Sequence, residues 1–123
     1  MNTVMIVDDE PGFCTLVSRF LQKREYNVVT ANNGMECLAR MRNGFQGVIL
    51  MDVAMPQLSG WQTIRALKEE QLLDRTLVCM LTGEDPMADP AGLEGSVFDY
   101  LVKPFAFEAL NEMVSSAFDL LRP

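Results

Sequence analysis

Five side chains have the types and spacing to do chemistry together: Asp8, Asp9, Asp52, Thr82 and Lys103, each at or just beyond the end of an apolar run. Asp52 closes the run GVILMD and is the candidate nucleophile, a carboxylate able to take a phosphoryl group and hold it as an aspartyl phosphate. Phosphoryl transfer asks for an in-line nucleophile, a cation bridging the moving oxygens, and fixed positive charge where negative charge develops. Three carboxylates crowded at one spot repel by roughly 4 kcal/mol per pair at about 4 Å in a medium of dielectric about 20, so such a site needs cations. Lys103 supplies one charge, and a divalent ion would supply two. An all-oxygen donor set in a chain without histidine suits Mg²⁺ or Mn²⁺ and disfavours zinc. Thr82 adds a hydroxyl that can donate to a phosphoryl oxygen, and Gly83 beside it leaves the backbone N–H approachable.

These residues act as a set only if the fold gathers them. Thr3 to Val7 (TVMIV) reads as a buried strand, and Asp8-Asp9-Glu10-Pro11 ends it and starts a helix, Pro11 suiting the first turn. Phe13, Leu16, Val17, Phe20 and Leu21 recur at helical spacing and predict one apolar face. Asn27 to Ala31 is a second strand, after which Asn32-Asn33-Gly34 leads into a helix with Met35, Leu38 and Met41 on one side. Val48 to Met51 has no polar alternation, as expected of a strand covered on both faces in the middle of a parallel sheet. A loop from Pro56 to Gly60 precedes a helix marked by Trp61, Ile64 and Leu67. Thr76 to Leu81 and Val97 to Val102 are further strands, and a last helix carries Phe107, Leu110, Val114, Ala117, Phe118 and Leu121. Between Glu84 and Ser96, two prolines and two glycines lower helix propensity, so a helix there is expected to be short or irregular.

Strands alternating with helices predict an α/β architecture: a doubly wound, five-stranded parallel sheet with right-handed crossovers. All strands then point one way, and Asp8, Asp9, Asp52, Thr82 and Lys103 fall along one carboxyl edge, where open α/β sheets bind ligands.

The 123 residues predict a single domain, 1–123, large enough to remove about two thirds of its unfolded surface from water. Three cysteines, odd in number and far apart, imply neither a disulfide framework nor a zinc knuckle; Cys79 is expected to pack as a small apolar side chain. A net charge of -7 argues against direct nucleic-acid binding, which needs clustered cations, and favours protein partners. No apolar run approaches the roughly eighteen residues of a membrane span, and Asp8 and Asp9 come too early for a signal peptide. A cytoplasmic protein with no membrane partner is the expectation.

The whole chain resembles the receiver domains of two-component response regulators. The likeness rests on Asp8-Asp9-Glu10 after the first strand, Asp52 followed by Met55-Pro56 and Gly60, Thr82-Gly83, and Asp99-Tyr100-Leu101-Val102-Lys103-Pro104-Phe105. It implies a flavodoxin-like sheet of strand order 2-1-3-4-5. It also implies phosphorylation of Asp52 by a phosphohistidine on a sensor histidine kinase or phosphotransfer protein. Mg²⁺ would be bound by Asp9, Asp52 and the backbone carbonyl of Ala54, with Asp8 acting largely through water. Lys103 would pair with the phosphoryl group ahead of a cis Lys103-Pro104 bond. Thr82 would move toward the phosphate and let Tyr100 turn inward, repacking a face made by a fourth helix, the fifth strand and the last helix. That face would serve an effector domain, a target protein or a phosphorylation-dependent homodimer.

Singly, each feature has a plainer reading: Asp8-Asp9 as a helix cap, Asp52 as a turn-forming acid, Lys103 as a solvated cation, Tyr100 as a half-buried aromatic. Their joint placement at strand ends lifts them. Among rival functions, a Mg²⁺-dependent phosphohydrolase of the haloacid-dehalogenase type carries a second acid where this chain has Ala54. A dinucleotide- or flavin-binding module needs a glycine-rich first turn where this chain has acids. A pseudo-receiver that only docks would not need the intact acid, hydroxyl and ammonium set. Ala54 also offers no polar side chain to position an attacking water, which leaves Glu84, two residues after Thr82, as the candidate for that role.

Overall fold

The structure is a computed structural model that describes residues 2–83 and 92–122. Its elements run β1 (Thr3–Val7), α1 (Pro11–Lys23), β2 (Asn27–Ala31), α2 (Gly34–Arg42), β3 (Gly47–Asp52), α3 (Gly60–Glu69), β4 (Thr76–Thr82), β5 (Val97–Val102) and α4 (Phe107–Leu121). The five strands form one sheet in the order β2-β1-β3-β4-β5, every pairing parallel. Most of the segment expected to hold a short or irregular helix, Glu84 included, lies outside the described residues; its end, Glu94–Ser96, is a single 3₁₀ turn.

Strand periodicity divides the core in two. Along β3, Ile49 and Met51 point to a cluster shared with Cys37, Leu38 and Met41 of α2 and with Trp61, Ile64 and Leu67 of α3. Val48 and Leu50 point the other way, to Cys14, Val17 and Leu21 of α1 and to Leu110, Val114, Ala117 and Phe118 of α4. Among the described residues two helices cover each face, which is why all six residues of β3 are buried and why the sequence shows an unbroken apolar run there. Cys79 is fully buried within β4, as an apolar side chain would be. Among the described residues no helix is long and apolar enough to cross a membrane.

Two residues assigned to buried helix faces prove exposed. Leu16 is 55% exposed because α1 buries Cys14, Val17 and Leu21, and at 100° per residue Leu16 stands well outside that stripe. Met35 is 53% exposed for the same reason, since α2 buries Gly34, Cys37, Leu38 and Met41. In both helices a small or weakly apolar residue, Cys14 or Cys37, takes the place that apolar periodicity gave to a larger one.

Gly47 enters β3 with φ +148°, and a Cβ built there would stand 2.2 Å from the carbonyl oxygen of Thr3 in β1. The β1–β3 pairing leaves no room for a side chain, so Gly47→Ala is expected to lower the urea midpoint by an amount worth about 2 kcal/mol. An unchanged midpoint would show that the two strands can part at no cost.

Candidate functional site

Strand parity decides which side chains meet at the carboxyl edge. Ile6 and Leu50 are paired across β1 and β3 and share the core face covered by α1 and α4. Two residues on, Asp8 and Asp52 therefore project to that same side. Leu101 of β5 lies in the same layer, so Lys103, two residues beyond it, arrives there as well. Thr82 and Tyr100 belong to the opposite parity: Met80, paired with Tyr100, lies in the cluster under α2 and α3.

Backbone bonds continue past the strand ends and tie the loops together. The Asp8 N–H donates to the Ala31 carbonyl at 3.1 Å, Val53 to Leu81 at 3.1 Å, and Lys103 to Thr82 at 2.7 Å. The start of α3 is pressed onto the backbone of Asp52 and Val53. Ser59 and Gln62 form a reciprocal cap, the Gly60 N–H donates to the Val53 carbonyl at 2.8 Å, and a Cβ on Gly60 would meet the Asp52 carbonyl oxygen at 2.5 Å. Only glycine allows that approach.

The resulting geometry is tight. Carboxylate oxygens of Asp8, Asp9 and Asp52 all lie within 4.8 Å of one another. Lys103 Nζ donates to Asp8 Oδ2 at 3.0 Å and lies 3.9 Å from Asp52 Oδ1. Asp8 is buried and also accepts from the Glu10 N–H at 3.0 Å, whereas Asp9 is exposed. Asp52 is 7% exposed and accepts from the Ala54 N–H at 3.3 Å. Thr82 is buried at the end of β4, and Tyr100 is partly buried with its ring centre 6.3 Å from that of Trp61. The Lys103-Pro104 bond is cis.

Among the described residues three carboxylates face one ammonium, and the imbalance is felt at Asp52. Burial, and then the charge of Asp8, push the Asp52 carboxyl up to about 6, while Lys103 and the Ala54 N–H pull it back. A hard cation held by carboxylate oxygens would correct that imbalance, and the donors present are of the kind such an ion takes. The acidic cluster can thus bind a metal, and its chemistry fits a divalent ion of the magnesium type.

Three contributors were not legible as such in the sequence. Cys14 lies behind Asp8, its Sγ 3.5 Å from the Asp8 carbonyl oxygen, and burial followed by the Asp8 charge pushes its thiol up to about 11. Phe13 places its ring under Lys103, with Nζ 4.2 Å from the centroid. Gly60 carries the contact described above. Phe13 and Cys14 could have been suspected from position alone, since a helix beginning at Pro11 sets its first turn beside Asp8 and Asp9.

The family model for the response regulator receiver domain matches residues 4–115. The chain is 33% identical over 114 residues to the alkaline phosphatase synthesis transcriptional regulatory protein PhoP of Bacillus subtilis. That match covers 92% of this chain and 47% of the regulator, so the chain spans about half its length. Among solved structures, a CheY-like response regulator receiver domain protein from Methanospirillum hungatei aligns with TM-score 0.93 and 35% identity, covering 98% of this chain and 97% of that one. The response regulator TrrA of Thermotoga maritima, solved in complex with Mg(2+)-BeF, aligns with TM-score 0.83 and 27% identity, covering 95% and 99%.

Proposed function

We propose, from the premise that the chain belongs to the response regulator receiver domain family, that Asp52 accepts a phosphoryl group from a phosphohistidine on a sensor histidine kinase or phosphotransfer protein. The observation that best supports this is the convergence of Asp8, Asp9, Asp52 and Lys103 from three separate strand ends. An Asp52 oxygen attacks phosphorus, the P–N bond to the donor imidazole breaks, and the imidazole nitrogen leaves with the bonding pair. Asp52 is oriented for this by the Ala54 N–H and by the α3 cap, and Lys103 neutralises charge gathering on the phosphoryl oxygens.

Asp9, Asp52 and the Ala54 carbonyl would hold Mg²⁺, with Mn²⁺ as a substitute; Asp8, already committed to Lys103, fits the water-mediated part. When bound, the ion supplies positive charge to the transferring oxygens. The relative solved with Mg(2+)-BeF supports a divalent ion in this family. Thr82 and Tyr100, on the opposite side of the sheet from Lys103, would relay the new charge to β5 and α4 as a shift between two packings. That surface would address an effector domain, a target protein or a second copy, and residues 1–123 would form one receiver domain.

The test is incubation of the chain with Mg²⁺ and acetyl phosphate, followed by intact mass. A labile gain of one phosphate is expected, lost when EDTA removes the metal and restored by Mg²⁺ or Mn²⁺. No gain with metal present, or an equal gain in EDTA, would overturn the proposal.

A further inference from the structure

Lys103 meets the acids beside Phe13 in the first turn of α1, and its ammonium has neighbours of two kinds. Close to its Nζ lie Asp8 Oδ2 at 3.0 Å and Asp52 Oδ1 at 3.9 Å. Nζ also lies over the face of Phe13, 4.2 Å from its centroid. The ring is itself braced, with Phe105 edge-on to it at 6.1 Å and 85°, and Phe105 packed in turn on Phe107 at 6.5 Å. A lysine ammonium is a strongly hydrated point charge on a flexible stem, so attraction from carboxylates and ring face together is what fixes it. The Lys103 side chain is 23% exposed, and the negative face of the ring lies within contact of its ammonium.

We infer that Phe13 is a positioning residue for phosphoryl transfer: its ring face holds the Lys103 ammonium at the mouth of the Asp8–Asp52 pair. The inference rests on the proposed roles of Asp52 and Lys103. Phe13 touches no reacting atom. It acts by narrowing the positions open to the ammonium, so that the charge is already in place when phosphoryl oxygens arrive. Leucine at 13 would fill the same flank of α1 without offering a π face, whereas tryptophan would keep the face.

The rate of phosphate gain from acetyl phosphate at fixed Mg²⁺ tests this. Phe13→Leu is expected to react about fivefold more slowly, the size of a partly desolvated ammonium–ring contact, and Phe13→Trp to recover the wild-type rate. In a Lys103→Met background, Phe13→Leu should have no further effect. A wild-type rate in Phe13→Leu, or the same loss whether or not Lys103 is present, would overturn the inference, the second because it marks a packing effect alone. The Lys103 ε-methylene protons give an independent reading: shielded by the ring, they should resonate upfield and return downfield in Phe13→Leu. Failure of the wild-type chain to gain phosphate while those protons stay shielded would sink the transfer reading and leave the contact standing. Unshielded protons in the wild type would sink the contact itself.

Discussion

Asp52→Asn is expected to gain no phosphate under conditions that load the wild-type chain, and yet to be the more stable protein when divalent ions are absent. The first outcome follows from chemistry. An amide lacks the anionic oxygen that would attack phosphorus in the proposed transfer, and no other described carboxylate combines burial, an N–H clamp and the packed start of α3 as Asp52 does. The second follows from geometry. Oxygens of Asp8, Asp9 and Asp52 lie within 4.8 Å of one another, while Lys103 sits close to Asp8 at 3.0 Å and farther from Asp52 at 3.9 Å. Removing the Asp52 charge relieves repulsion and desolvation but gives up little attraction. The gain should be on the order of 1 to 3 kcal/mol in urea denaturation with EDTA present, and should shrink as Mg²⁺ is added to both proteins. A variant less stable than wild type without metal would mean that Lys103 balances the acids better than the distances indicate.

The fold was legible because three of the five strands declare themselves outright. The runs at Thr3–Val7, Gly47–Asp52 and Thr76–Thr82 are apolar on both faces, and a parallel sheet sandwiched between helices is what makes that pattern stable. The strand order came from family likeness, since nothing in five apolar runs says which lies beside which. The helices were legible as elements but less so as faces: Leu16 and Met35 satisfy an i, i+3 pattern yet lie outside the buried stripes, because Cys14 and Cys37 hold the central positions. The acids and Lys103 were found as strand-end residues. That Asp8, Asp52 and Lys103 share one side of the sheet while Thr82 and Tyr100 share the other also follows from counting in twos from the core. What counting cannot supply is the contact of Phe13 with Lys103, or the approach of Gly60 to the Asp52 carbonyl. Both depend on how a helix start is seated against a neighbouring loop.

Lys103→Met separates the ammonium from the proposed metal ion by moving their effects in opposite directions. Phosphate gain should fall by about 10²-fold, as when one fixed stabiliser of developing charge is lost from a preorganised site. Mg²⁺ binding, measured by calorimetry, should be as tight as in wild type or tighter, because the ammonium bonded to Asp8 Oδ2 and near Asp52 Oδ1 competes for the same carboxylates that a metal would use. Stability without metal should also move the other way from Asp52→Asn. The side chain of Asp8 is fully buried, and it loses its one cationic partner among the described residues. A cost of about 1 to 3 kcal/mol is expected, recovered in part when Mg²⁺ supplies the missing charge. Methionine keeps the length of the stem and its packing on Phe13, so that loss reports charge and not volume. Weakened Mg²⁺ binding in step with the lost rate would instead make Lys103 part of the metal's own support. The account in which ammonium and metal share the acids as rivals would then fail.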